Sequence, residues 1–187
     1  GQAMRNLAKA AISAEEKTMV VDMLNYGAAA QQAFGYNTAD LANAQLSEDQ
    51  KALATQSTTY SDTHTGDENY FASNLMLKSN IQLMFAFRNV TPDMKAVITF
   101  TNHYGEAKEI TVEGSGFTKS GSFYVVAVED MVVADSRQDI TCTVYDGEEA
   151  VATATDSVAS YAARKSDTLF EMLMRFSDSA YAYFHGE

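Results

Sequence analysis

The chain has 187 residues, 46% of them hydrophobic, with one Pro and one Cys, a composition that excludes a disordered tail, a collagen-like fibre and a disulfide scaffold. Thirteen Lys and Arg against 25 Asp and Glu leave a formal net charge of −12. That balance argues against nucleic acid and against an anionic bilayer, because each needs a basic footprint on its partner.

No apolar run reaches the roughly 18 residues of a spanning helix, so no membrane insertion is expected. Surface scaling for a chain of this mass predicts burial of roughly 70% of the unfolded surface, enough for one sizeable core. The first residue is Gly, and no basic start leads into an apolar run. The expectation is a processed or trimmed fragment whose targeting segment is missing.

Residues 1–56 read as a helical N-terminal region packing on a β-sandwich formed by later residues. Ser13 and Glu16 have capping-box spacing, and Gly35 is placed to end the helix that begins there. Its stripe is Met19, Met23, Tyr26, Ala30 and Phe34. Gly27 costs about 1 kcal/mol relative to Ala inside a helix, which makes sense where a neighbouring element approaches closely. Ser47 and Gln50 repeat the capping spacing over a shorter segment.

Residues 57–70 are polar and aperiodic and read as an exposed loop. The period then becomes two: Ile81, Leu83, Phe85 and Phe87 alternate with residues of the opposite face. Further strands are expected at 71–78, 95–103, 107–113, 122–129, 138–145 and 149–156. Short turns and the lack of a crossover helix predict antiparallel pairing. The fold class is α+β: an antiparallel β-sandwich over 71–165, immunoglobulin-like in outline, flanked by N-terminal helices and one C-terminal helix.

That last helix, within 166–187, carries Leu169, Leu173, Phe176, Ala180 and Phe184, matching the first stripe position by position. Tyr26, Gly27, Phe34, Phe176 and Phe184 are therefore assigned structural roles in an equivalent pair of helices. The pattern leaves open whether the two pack together.

The run Leu24-Asn25-Tyr26-Gly27-Ala28-Ala29-Ala30-Gln31, continuing through Phe34-Gly35-Tyr36-Asn37-Thr38 and Leu41-Ala42-Asn43, resembles a segment of large secreted or surface-exposed proteins of gut Firmicutes. Ser157-Val158-Ala159-Ser160-Tyr161-Ala162 resembles the other part of the same pattern. In that group the helix precedes an all-β module and a second helix comes after it. The resemblance implies an extracellular or cell-surface setting and a modular role, and it implies no reaction.

Chemistry is sparse. His64, His103 and His185 form no zinc-type spacing, and Cys142 alternates with Ile140 and Val144 on an apolar face. No cofactor is expected. Calcium is the one metal considered, with Asp62, Asp67 and Glu68 in the polar loop and Asp146 and Glu148 at a turn as ligand candidates. Among aromatics in or beside loops and strands are Tyr60, Tyr70, Phe71, Tyr104, Phe123, Tyr124 and Tyr145. Tyr104, Tyr60, Tyr70 and Tyr145 are the ligand candidates, with Tyr104 in Asn102-His103-Tyr104-Gly105 the foremost.

The leading expectation is a non-catalytic spacer, scaffold or adhesion module, with a glycan or surface protein as partner. The alternatives are a carbohydrate-binding module using exposed tyrosines and a glycan-active hydrolase with two opposed carboxylates.

Overall fold

The structure, a computed structural model, describes residues 2–7, 12–55, 59–78 and 80–186. The expected boundary between helical region and loop, at 56 and 57, lies outside these residues, as does 187. The chain divides into a helical unit, residues 1–59 with 165–187, and a β unit, residues 60–164.

In the helical unit α1 (Gln2–Leu7), α2 (Ala14–Phe34) and α3 (Glu48–Lys51) are joined by α5 (Thr168–His185) from the far end of the sequence. α2 begins where Ser13 Oγ accepts from the Glu16 amide at 3.1 Å, with Glu15 and Glu16 favourably placed in the first turn. It ends at Gly35, whose φ of 67° is left-handed and whose amide returns to the Gln31 carbonyl. α3 carries the full reciprocal capping box between Ser47 and Gln50.

The two equivalent helices pack against each other. Asp22 is hydrogen-bonded to Ser179, and the Tyr26 ring stacks on Phe176 with centroids 6.1 Å apart. As one number rises the other falls, so α2 and α5 run antiparallel and cross at the matched pair Tyr26 and Phe176.

The ends of the stripes depart from expectation. Phe34 is 57% and Phe184 48% exposed, so neither has the structural role the stripe assigned it. Steps of four residues drift about 40° each around a helix of 3.6 residues per turn. Two steps from Tyr26 or Phe176 therefore carry the ring off the shared face. The deepest apolar residues of α2 are instead Val20, Val21, Leu24 and Ala28. Val20, Val21 and Leu24 form a cluster with Leu46, against which Met4, Ala42 and Ala54 pack.

The β unit holds two antiparallel sheets. One has the order β1 (Thr65–Gly66), β9 (Glu149–Asp156), β8 (Ile140–Asp146), β4 (Lys95–Thr101), β5 (Ala107–Glu113). The other runs β2 (Tyr70–Leu77), β3 (Ile81–Phe87), β7 (Phe123–Met131), β6 (Thr118–Ser120). Both sheets are antiparallel throughout, and together they make the sandwich that the alternating strands predict. Leu83, Phe85, Phe87, Val126 and Val128 from one sheet and Ile98, Ile140, Cys142 and Val144 from the other are fully buried and make the core.

Three elements of this unit are new relative to the sequence pattern. β1 lies inside the expected exposed loop, pairing Thr65 with Thr155 and Gly66 with Ala154. Its two residues remain exposed, and only backbone bonding defines them. β6 is an exposed edge strand with no apolar alternation to announce it. α4 (Val158–Lys165) comes directly after β9, with Ser157 Oγ accepting from the Ser160 amide at 3.0 Å to start it.

Candidate functional site

The densest polar cluster of the β unit joins its two ends. Arg164, at the end of α4, meets Asp156 in a bidentate pair, Nη2 to Oδ2 at 2.6 Å and Nη1 to Oδ1 at 3.2 Å. The Asp156 side chain is fully buried, whereas that of Arg164 reaches solvent. Arg164 Nη1 also donates to Asp62 Oδ1 at 2.8 Å, and its guanidinium lies over the Tyr161 ring at 5.3 Å. Tyr161 in turn donates to Asn74 Oδ1 on β2 at 3.0 Å. Segment 62–64, α4 and the end of β9 are thereby clasped together.

Ser160, His64 and Asp62 are the residue types of a hydrolase triad, but they are wired differently. Ser160 Oγ donates to Asp62 Oδ1 at 3.0 Å and accepts from the Thr63 amide at 2.9 Å. His64 Nδ1 sits 2.6 Å from that same carboxylate oxygen. A triad needs the imidazole as proton acceptor for the serine hydroxyl. Here the Asp62 carboxylate accepts the hydroxyl's hydrogen bond, and Ser160 is buried. Desolvation would raise the Asp62 carboxyl, but hydrogen bonds from His64, Arg164 and Ser160 outweigh it and hold the group well below the usual range. Desolvation acts on Arg164 in the opposite sense to its bonds with Asp156 and Asp62, and the bonds keep it firmly charged.

The remaining calcium candidates are separately occupied or solvated. Asp67 accepts from the amides of Asn69 and Tyr70 through Oδ1 and from that of Thr153 through Oδ2, pinning the segment after β1 against β9. Glu68, Asp146 and Glu148 are exposed. Among the described residues, no group of three or more His, Cys, Asp or Glu is placed to hold a metal.

Of the four tyrosines, Tyr104 and Tyr145 lie at opposite ends of β4. Tyr104 is 58% exposed, with its ring 3.9 Å from that of His103. Its turn is held by Asn102 Oδ1, which accepts from the amides of Tyr104 and Glu106. Tyr145 is half-buried opposite Lys95, at the other end of β4. Seven residues at about 3.3 Å per residue separate those ends by roughly 20 Å. Tyr60 is half-buried near Arg137, and Tyr70 bonds Ser73 while its ring meets Phe87 edge-on.

A further exposed ring, on β2, is flanked by a second ring and a cation. Phe71, 48% exposed, stacks on Phe123 with centroids 3.9 Å apart and planes within 11°, and Arg88 lies 4.7 Å over Phe71.

Two buried carboxylates carry no spacing motif in the sequence. Asp135 accepts from the amides of His103 and Val132, fixing the turn that carries Tyr104. Asp22 accepts from the Thr55 amide through both oxygens at 3.1 Å, and burial raises its carboxyl despite hydrogen bonds from Thr55 and Ser179 and the charge of Arg175. The available signal for Asp22 is a charge set inside the apolar run Val20-Val21-Asp22-Met23-Leu24.

Comparison with protein-family models, with curated proteins and with solved structures finds no match.

Proposed function

We propose that the chain is a non-catalytic module of a larger cell-surface or secreted protein, in which a β-sandwich is presented as a spacer, scaffold or adhesion element. The observation that supports this reading is the clasp. Asp62 lies near the first residue of the β unit and Arg164 is its last, and one guanidinium ties them to the buried Asp156. Tension reaching the sandwich through its two flanking segments meets this ion-paired neck before the strands. A sandwich closed at its neck suits a part that must hold its shape while the chain on either side is loaded.

The test combines mechanics with binding. Pulling the full chain by its ends should give an unfolding force for the β unit that falls in Arg164→Gln. Titration against plant, host-mucin and bacterial cell-wall glycans should show no saturation. An unchanged force in Arg164→Gln would remove the support for a load-bearing neck. Saturable glycan binding lost in Tyr104→Ala would replace the scaffold reading with the carbohydrate-binding one.

A further inference from the structure

The two sheets of the β unit both stop short on the side where β5 and β6 lie. β5 ends its sheet: all seven of its residues pair with β4, and among the described residues no strand pairs with its other edge. β6 ends the other sheet as a stub. It pairs only with Phe123, Tyr124 and Val125, so beyond Val125 no described strand lies against that edge of β7.

The core is correspondingly incomplete there. Ile98 of β4 and Ile140, Cys142 and Val144 of β8 are fully buried, whereas Ile110 and Val112, on the same inner face of β5, are only half-buried. Between these two and Ala127 and Val128 of β7 lies a cavity of about 380 Å³. That is within the roughly 300–1,000 Å³ of ligand sites. Glu129 and Asp130 also line it, and both are exposed.

Charge on this side is mainly negative. Glu109 and Glu113 stand exposed on the outer face of β5, opposite Thr99 and Lys95 of β4. Of the nearby cations, Lys108 is bonded to Glu106 at 3.0 Å and Lys119 belongs to β6.

We infer that β5 accepts an added strand, an extended segment of a partner protein in which apolar and basic residues alternate. Strand addition takes affinity from main-chain bonds and specificity from pockets for alternate side chains. The free edge of β5, seven residues or about 23 Å long, supplies the bonds. The cavity beside Ile110 and Val112 receives the apolar side chains. Residues of the other parity lie next to Glu109 and Glu113, where Lys or Arg across the strands is favourable and a like charge is not. A second copy of the chain is the poorer occupant, because it brings the same carboxylates and a second net charge of −12. The inference goes beyond the load-bearing neck, since the cavity and the clasp share no residue.

The experiment is an NMR titration of the full chain with a hexapeptide of three Lys-Val repeats, blocked at both ends. Saturable shifts are expected at the β5 amides and at the methyl groups of Ile110, Val112 and Val128, with slowed hydrogen exchange along β5. The chain alone should sediment at its monomer mass of 20.4 kDa. Three Lys-Gly repeats, equal in charge, and the Lys-Val peptide with every amide N-methylated should each bind at least tenfold more weakly. Glu109→Lys should weaken the Lys-Val peptide at least fivefold and strengthen three Glu-Val repeats, with circular dichroism unchanged. No saturation at millimolar Lys-Val peptide, or shifts confined to residues away from β5, would overturn the assignment. Equal binding of the Lys-Gly peptide would reduce the effect to overall charge, and equal binding of the N-methylated one would remove the added strand. Self-association through β5 would make a second copy the occupant and overturn the partner segment.

Discussion

Gly27 is the position at which local preference and tertiary packing pull most clearly in opposite directions. A Cβ built there would lie 3.1 Å from Ala42 Cβ, tighter than ordinary contact by a few tenths of an ångström. Whether Ala42 can retreat decides the sign of Gly27→Ala. The segment carrying it is held on both sides. The Ala42 amide donates to Gln31 Oε1 at 2.6 Å, Gln31 Nε2 reaches the Asp40 carbonyl at 3.0 Å, and Asn43 donates to Asn25 Oδ1 at 2.9 Å. Replacing Gly by Ala in a helix interior gains about 1 kcal/mol. Overpacking against an immobile neighbour costs about 1 to 3 kcal/mol. The expected net change is a loss of about 1 kcal/mol for Gly27→Ala and about 2 kcal/mol or more for Gly27→Leu. Ala42→Gly removes the obstructing methyl, so Gly27→Ala in that background should become neutral or stabilising, with a coupling of at least about 1 kcal/mol in the double-mutant cycle. Urea denaturation followed by helical circular dichroism measures all four chains of that cycle. A single Gly27→Ala variant more stable than the parent by about 1 kcal/mol would show that the 36–46 segment yields, and the close-approach argument would fail.

The clasp should be strongly asymmetric: Arg164→Met strands the buried Asp156 carboxylate and should cost about 3 to 5 kcal/mol, whereas Asp62→Asn, at the solvent side, should cost under about 1 kcal/mol. Equal losses in thermal or urea melts would contradict that order. The same pair has a pH signature. Because the folded Asp62 carboxyl is depressed, its contribution is present above the unfolded value and disappears as pH falls through the folded one, so Asp62→Asn should flatten the acid limb of the β-unit melting curve. Burial pushes the Cys142 thiol up to about 12, so the native chain should resist a thiol reagent near neutral pH and react fully in denaturant. Rapid native labelling would place Cys142 outside the core.

The caps were legible because capping is chemistry over three or four residues: Ser47 with Gln50 forms both bonds of the box, and Ser13 with Glu16 forms one of the two. The long strands were legible for a similar reason, since alternation such as that of Leu83, Phe85 and Phe87 records one buried face. The strands β1 and β6 left no such record, because both are exposed and exist through backbone pairing with β9 and β7. Matching stripes announced two equivalent helices, yet it took the tertiary contacts, Tyr26 on Phe176 and Asp22 with Ser179, to show that they meet each other. The candidate site was the least legible part. Asp62 among polar neighbours has the composition of a cation site, and the cation that reaches it is Arg164, more than a hundred residues away in the sequence. Composition and period by themselves determined which of the longer segments become helix or strand and which faces are apolar, because those depend on neighbours along the chain. Only the tertiary structure decided how each carboxylate is used and which exposed ring is flanked by a cation, because burial and pairing depend on neighbours in space.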